Sequence, residues 1–155
     1  MFPFLTGING VIQQVPRSKK TGVYRSKAEF ILAQWLKAQK IKFGYETRRF
    51  EYKTRVVRGE CEDCGGRAVQ RHTYILDFWL PEYDFGLELK GRLEASDRTK
   101  YIAVRDSNPL LDLRFIFLSD NKLHKHSSKR YSTWAADNQF KYAIKLPEEE
   151  WFTKK

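Results

Sequence analysis

Apolar residues fall into two spacings along this chain. From Ser26 to Gln39 they repeat as a helix requires, with Leu32, Ala33 and Leu36 three, four and seven residues after Glu29 on one face. Ser26-Lys27-Ala28-Glu29 in front of that run has the Ser-x-x-Glu spacing of a capping box. Glu29 therefore has two readings: it closes the cap, or it projects a carboxylate from a buried face into a site. Further on the period drops to two. Lys42 to Glu46 and Phe50 to Val57 are strand-like, the second half polar, as an exposed or paired edge would be. Tyr74-Ile75-Leu76-Asp77-Phe78-Trp79-Leu80-Pro81 and Phe85-Gly86-Leu87-Glu88-Leu89-Lys90-Gly91 are apolar runs joined by a polar turn. They predict two strands meeting at a hairpin. Ser96 caps a helix through Asp106, ended by Asn108-Pro109. Asp112 to Leu118 reads as a strand, Tyr131 to Asn138 as a short helix with Ser132 as its cap, and Leu146 to Trp151 as a last helical turn. The order makes a mixed α/β domain.

The hairpin carries charges that its apolar pattern does not explain. Glu88 and Lys90 are two apart, so on a strand they face one side while Leu87 and Leu89 face the other. Asp77 on the preceding strand is within their reach. Charges in such a setting cost folding energy unless they are paired, metal-bound or needed. Phosphodiester hydrolysis needs an oriented water, neutralised phosphate charge and a stabilised leaving oxygen, which one or two Mg²⁺ ions held by oxygen ligands supply. Asp77 and Glu88 are the candidate ligands, with the backbone carbonyl of Leu89 as a third. Lys90 would position the water or stabilise charge on the phosphate, and Glu29 would complete the shell. Asp followed about ten residues later by Glu-x-Lys is the signature of many restriction-type nucleases. The plainer alternative is a surface salt bridge between Glu88 and Lys90.

Charge extends the picture beyond the hairpin. The 155 residues make one domain, and 29 Lys+Arg against 19 Asp+Glu leave a net charge of +10. That excess suits a polyanionic partner, most often nucleic acid, although a merely basic soluble protein has it too. Residues 1–25 form a basic N-terminal arm in front of a single domain over 26–155. Arg25, Lys27, Arg98, Lys100, Lys122 and Lys125 are the candidate DNA contacts. His124 and His126, in the basic run Asn121 to Arg130, read as part of a phosphate-contacting loop rather than as metal ligands. No apolar run is long enough to span a bilayer, and Met1-Phe2-Pro3-Phe4-Leu5 lacks a basic leader, so neither a membrane segment nor a signal peptide is expected. The two cysteines, Cys61 and Cys64, are no disulfide framework, and a reducing, cytosolic location follows. Cys61-Glu62-Asp63-Cys64-Gly65-Gly66 has the shape of a zinc knuckle but supplies only two ligands. His72 as a third ligand, a second copy of the loop across a dimer, a redox pair and two ordinary thiols all remain open.

Asp77-Phe78-Trp79-Leu80-Pro81, Glu88-Leu89-Lys90-Gly91, Glu94 and Ser96 to Lys100 together resemble the core of the phage T-seven endonuclease I family of Holliday-junction resolvases. The likeness runs on through Asn108-Pro109, Leu111 to Phe117, Lys122-Leu123, Phe140-Lys141, Lys145-Leu146 and Glu150-Trp151. Upstream it takes in His72 to Tyr74, Ile41 to Glu46 and Ser26 to Glu29. The resemblance implies a restriction-endonuclease-like mixed sheet flanked by helices, in an intertwined, segment-swapped homodimer. It implies that Asp77, Glu88 and Lys90 come from one protomer and Glu29 from the other, which makes Glu29 catalytic as well as a cap. It implies Mg²⁺- or Mn²⁺-dependent paired nicks in four-way and other branched DNA, within the cytoplasm of an infected bacterial host. The bridge strand would lie at about 46–58, followed by a Cys-x-x-Cys insertion at about 58–71 that lacks a family counterpart. The proline that precedes the first catalytic Asp in the family is Leu76 here, a change expected to affect only the local backbone. A restriction- or repair-type nuclease on duplex or single strands is the alternative enzyme, and a non-catalytic zinc-containing DNA-binding module the alternative outside enzymes.

Overall fold

A computed structural model describes residues 23–60 and 67–153, and the expectations for Cys61, Cys64 and most of the N-terminal arm fall outside them. The chain divides into two compact units, Met1–Lys42 and Phe43–Lys155.

The first unit contains helix α1 (Lys27–Ala38), and the capping box is present as spaced. The Glu29 N–H donates to Ser26 Oγ at 3.1 Å, while Glu29 Oε2 accepts from the N–H groups of Ser26 at 3.0 Å and Arg25 at 2.8 Å. Such a cap is worth about 1 kcal/mol. The buried residues of α1 are Glu29, Leu32, Ala33 and Leu36, the face that the spacing marks. At the other end Lys40, with φ 57°, turns the chain, its N–H donating to Lys37 O and that of Ile41 to Leu36 O. This is a Schellman stop built without glycine.

The second unit is built on a mixed five-stranded sheet. Its strands β1 (Gly44–Tyr45), β4 (Phe78–Leu80), β5 (Phe85–Lys90), β6 (Leu113–Phe117) and β7 (Lys141–Ile144) lie in the order β1-β4-β5-β6-β7. The first three are antiparallel, β5 runs parallel to β6, and β6 parallel to β7. Parallel neighbours need crossovers, which helices α2 (Ala95–Ser107) and α3 (Tyr131–Asp137) provide. Strands β2 (Arg49–Glu60) and β3 (Arg67–Ile75) form a separate antiparallel ribbon, in register from Arg49↔Ile75 to Arg55↔Val69. Glu60 pairs with Arg67 after a register shift, so six residues including both cysteines connect the two strands.

The core holds Tyr74, Leu76, Tyr101, Val104, Phe115, Phe117, Trp134 and Phe140. Phe115 is its hub, 4.9 Å from the Tyr101 ring and 5.1 Å from that of Phe140, both edge-on. The C-terminal end of α2 grips the ribbon: Ser107 Oγ accepts from the Lys53 N–H at 3.1 Å, and Asn108 Nδ2 donates to Glu51 O at 2.9 Å. Both groups lie on the edge of β2 that β3 leaves unpaired, the side a sheet must cover or blunt.

Several expectations shift. The first arm of the hairpin is two strands, β3 and β4, with Leu76-Asp77 between them, and the hairpin proper is β4–β5. Helix α2 begins two residues earlier than a Ser96 cap would allow; Glu94 is its N-cap, and Asp97 Oδ2 accepts the Glu94 N–H at 3.2 Å. Ser132 lies inside α3, held by Asp120, which accepts both its N–H and its hydroxyl. The last turn is a 3₁₀ turn, Glu149–Phe152. Leu76 does more than alter local backbone. Its N–H donates to Arg48 O at 3.1 Å, a bond proline lacks, and its buried side chain fills the space over Gly86. A Cβ on Gly86 would stand 2.5 Å from Leu76 Cδ2, so the glycine is needed for this close approach.

Candidate active site

Asp77 sits where the chain leaves the ribbon and enters the sheet. The Leu76 N–H bond to Arg48 O and a 2.9 Å bond from the Glu46 N–H to Asp77 O fix the backbone on both sides of the joint. The last ladder pair is Phe78↔Leu87, so the Leu89 N–H on that edge of β5 lies beyond the end of β4. Asp77 Oδ2 takes it at 3.0 Å. An extended residue sends its N–H and C=O to the same side of the strand, so the Leu89 carbonyl faces Asp77 as well.

Glu88 lies on β5 opposite Phe115. Burial raises its pKa from the ordinary 4.5, because an apolar surround penalises the charged form. Four groups pull against that rise. Tyr101 donates to Oε1 and Tyr74 to Oε2, with the ammoniums of Lys90 and Lys100 beyond them. Both phenols are themselves pushed up, first by burial and then by the Glu88 charge, so both keep their protons and remain donors.

Lys90 leaves β5 on the same side, with Nζ 3.8 Å from Glu88 Oε1 and 3.3 Å from Asp97 Oδ1. Asp97 is shared further, with Lys100 Nζ at 3.5 Å and the Glu94 N–H on its other oxygen. Partial burial would raise the Asp97 pKa, but the Lys90 charge, the Glu94 N–H and the Lys100 charge together hold it below the usual carboxylate range.

Burial separates these groups from the other acids. Of the chain's 19 Asp+Glu, those buried among the described residues are Glu29, Asp77 and Glu88. Exposed acids pair at the surface, as Glu94 does with Arg92, where an ion pair contributes roughly 0–1 kcal/mol. The fourth buried charge, Arg114, is accounted for structurally, forked onto Asp112 and stacked 3.7 Å over Phe85. The surface-salt-bridge reading of Glu88 and Lys90 fails on this burial.

As a cation site, the carboxylates of Asp77 and Glu88 and the Leu89 carbonyl form an all-oxygen donor set, the chemistry Mg²⁺ and Mn²⁺ prefer. No group of three His, Cys, Asp or Glu side chains suited to a metal occurs among the described residues. The set fits a hard ion that keeps several waters, and does not form a closed cage.

The remaining candidates divide. Lys100 is drawn into the cluster, with Nζ 4.4 Å from the Tyr101 ring centre and 5.8 Å from that of Tyr74. Arg98 donates to Leu93 O at the start of α2. Lys122, Lys125, His124 and His126 are exposed, as are Arg25 and Lys27 in the first unit. His72 stacks on Tyr52 and its Nε2 lies 2.8 Å from Thr54 Oγ1, which argues against a role as a zinc ligand. A groove of about 1240 Å³ lined by Glu82, Asp112, Arg114, Glu148, Glu150 and Trp151, among others, contains none of these residues. It lies by the N-terminal ends of β5 and β6, and its acidic rim repels phosphate. Sequence reading missed the roles of Tyr74, Tyr101 and Asp97. The only available signals were a tyrosine at the start of an apolar run and an acid in the first turn of a helix.

The model of the family described as phage endonuclease I matches residues 11–155. Endonuclease I of Escherichia phage T7 is 34% identical over 134 residues, covering 86% of this chain and 80% of that protein. Endodeoxyribonuclease 1 of Enterobacteria phage T3 is 34% identical over 124 residues, covering 79% and 72%.

The raised pKa of Glu88 has a testable consequence. A carboxyl whose folded pKa is raised adds stability in its protonated form; that stability is fully present below the unfolded value and lost as pH rises through the folded one. In chelator at pH 8, Glu88→Gln, which mimics the protonated form, is therefore expected to melt above the wild type. The gap should close as pH falls towards 4.5. Thermal melts across that range check it, and a variant less stable at every pH would contradict it.

Proposed function

The chain belongs to the phage endonuclease I family, and on that premise we propose that it is a structure-selective DNA endonuclease. In this reading it resolves four-way (Holliday) and other branched junctions as a homodimer, by metal-dependent phosphodiester hydrolysis with paired nicks. The observation that carries the reading is the burial of Asp77 and Glu88 beside an ammonium, Lys90, at the end of β5. A protein tolerates that cost where chemistry needs it.

Asp77 and Glu88, with the Leu89 carbonyl, hold Mg²⁺ or Mn²⁺. When bound, such an ion neutralises phosphate charge and lowers the pKa of a water. Asp77 is oriented by the Leu89 N–H, so its carboxylate is set before substrate arrives. Lys90 is steadied by Asp97 and Glu88 and has three donors in all, leaving hydrogen-bonding capacity for a phosphate oxygen or the attacking water. Glu29 reaches the site from the partner protomer.

Support for a nucleic-acid substrate lies in the +10 charge and in the ribbon. From Arg49 to Arg55 on β2 every second residue is exposed, and Arg49, Lys53 and Arg55, with Glu51 among them, share that face with Arg71 of β3, while Phe50, Tyr52 and Thr54 point the other way. Arg25, Lys27, Lys122 and Lys125 add to it, and such contacts give affinity that falls with salt. No helix among the described residues is long and apolar enough to cross a membrane, which fits action in the cytoplasm of an infected host. Cys61 and Cys64 of two protomers would together supply the four thiolates of a closed zinc site.

Lys90→Ala is expected to bind a labelled four-way junction normally and to lose cleavage by about a hundredfold or more in Mg²⁺. Retained cleavage sinks the assignment, and equal cutting of the component duplexes by the wild type replaces junction resolution with a duplex nuclease. Mixing Glu29→Ala with Asp77→Ala protein and allowing subunits to exchange should restore one nick per junction, because one site of the mixed dimer is then intact. Two inactive sites would return Glu29 to its own chain. Elemental analysis should find one zinc per two chains and none in Cys64→Ser; zinc-free wild-type protein removes that part of the proposal.

A further inference from the structure

Each oxygen of Glu88 accepts a hydrogen bond from a buried phenol, and the two phenols come from different parts of the fold. Tyr74 stands near the end of β3 in the ribbon, and Tyr101 in the middle of α2. Their rings are locked as well, meeting edge to face at 5.9 Å, with Tyr101 edge-on to Phe115. Tyr101 is fully buried and Tyr74 is 4% exposed. Phenylalanine would fill either position without burying a hydroxyl, so packing alone does not explain two tyrosines here. The hydrogen-bond partner of each hydroxyl is Glu88. A carboxylate offers about four acceptor positions, so two phenols leave room for a cation.

We infer that Tyr74 and Tyr101 are positioning residues that hold the Glu88 carboxylate in its cation-binding orientation. This rests on the reading of Glu88 as a metal ligand. Groups that orient a ligand without touching the ion typically change metal affinity ten- to a hundredfold when removed, roughly the effect expected here. Because one phenol belongs to the ribbon and the other to the helix whose end grips the ribbon, both elements must be seated for Glu88 to be set.

The test uses full-length Tyr74→Phe, Tyr101→Phe and the double variant, with Glu88→Gln as control. Mn²⁺ is titrated calorimetrically into each protein without DNA. Single-turnover cleavage of a four-way junction is followed across Mg²⁺ concentrations. Each single variant should bind Mn²⁺ about tenfold more weakly, and the double up to about a hundredfold. Cleavage should recover at raised Mg²⁺, with metal-free junction binding unchanged. Recovery by metal is what a merely structural defect lacks. If the phenylalanine variants match the wild type while Glu88→Gln loses Mn²⁺, the inference is overturned and the reading of Glu88 stands. If Glu88→Gln also binds and cleaves normally, the reading itself falls. Should Tyr101→Phe fail to fold, Tyr74→Phe decides the question alone.

Discussion

Burying the charge of Glu88 is the constraint on which the second unit depends. An ion removed from water loses several kcal/mol even after relaxation. A hydrogen bond to an ionised acceptor contributes about 1.5–3 kcal/mol, so two phenols offset roughly 3–6, and the ammoniums of Lys90 and Lys100 act in the same direction. The raised pKa says that the balance still runs against the charge. What makes it bearable is convergence. The partners lie 14 and 13 residues away along the chain, on a ribbon strand and a crossover helix, and neither element can slip without leaving a buried acceptor unpaired. Among the described residues no buried side-chain N or O lacks a partner.

Asp97 extends the same logic by one step. One of its oxygens closes the start of α2 on the Glu94 N–H, and the other takes Lys90 and Lys100. The beginning of the helix is thereby registered against the end of β5, where it holds the Lys90 ammonium in place. At the far end Ser107 and Asn108 register the helix against β2. Helix α2 thus spans the distance between the Glu88–Lys90 end of β5 and the backbone of the ribbon, and its rigidity is the means by which the two are kept in step.

Much of this was legible in the sequence, and what was missed has a physical cause. The capping box of α1 is local, its partners three residues apart, and it was readable from spacing alone. The charges of Asp77, Glu88 and Lys90 stood out because they interrupt apolar runs, and the two acids among them are buried. Strand β3 did not stand out, since Arg67 to Thr73 is largely polar. It is a strand because β2 pairs with it, an interaction the pattern of one segment does not carry. Tyr74, Tyr101 and Asp97 were invisible as site residues for the same reason: their chemistry lies in what the fold brings beside them. The break at Leu76-Asp77 was hidden because an apolar residue before an acid reads as continued strand until its N–H is seen to turn to Arg48.

The two readings of Glu29 do not compete. The cap places two backbone N–H groups on one oxygen of the carboxylate, so closing the helix also aims the side chain. A carboxylate tied in this way has one rotamer and a fixed place relative to its helix, the condition a ligand needs if it is to meet a site assembled from separate pieces. The capping signature and the burial of an acid at the same position are each ordinary. Together they describe an acid whose orientation is set by its own helix before any ligand arrives, and that fixed geometry is what the role proposed for Glu29 would use.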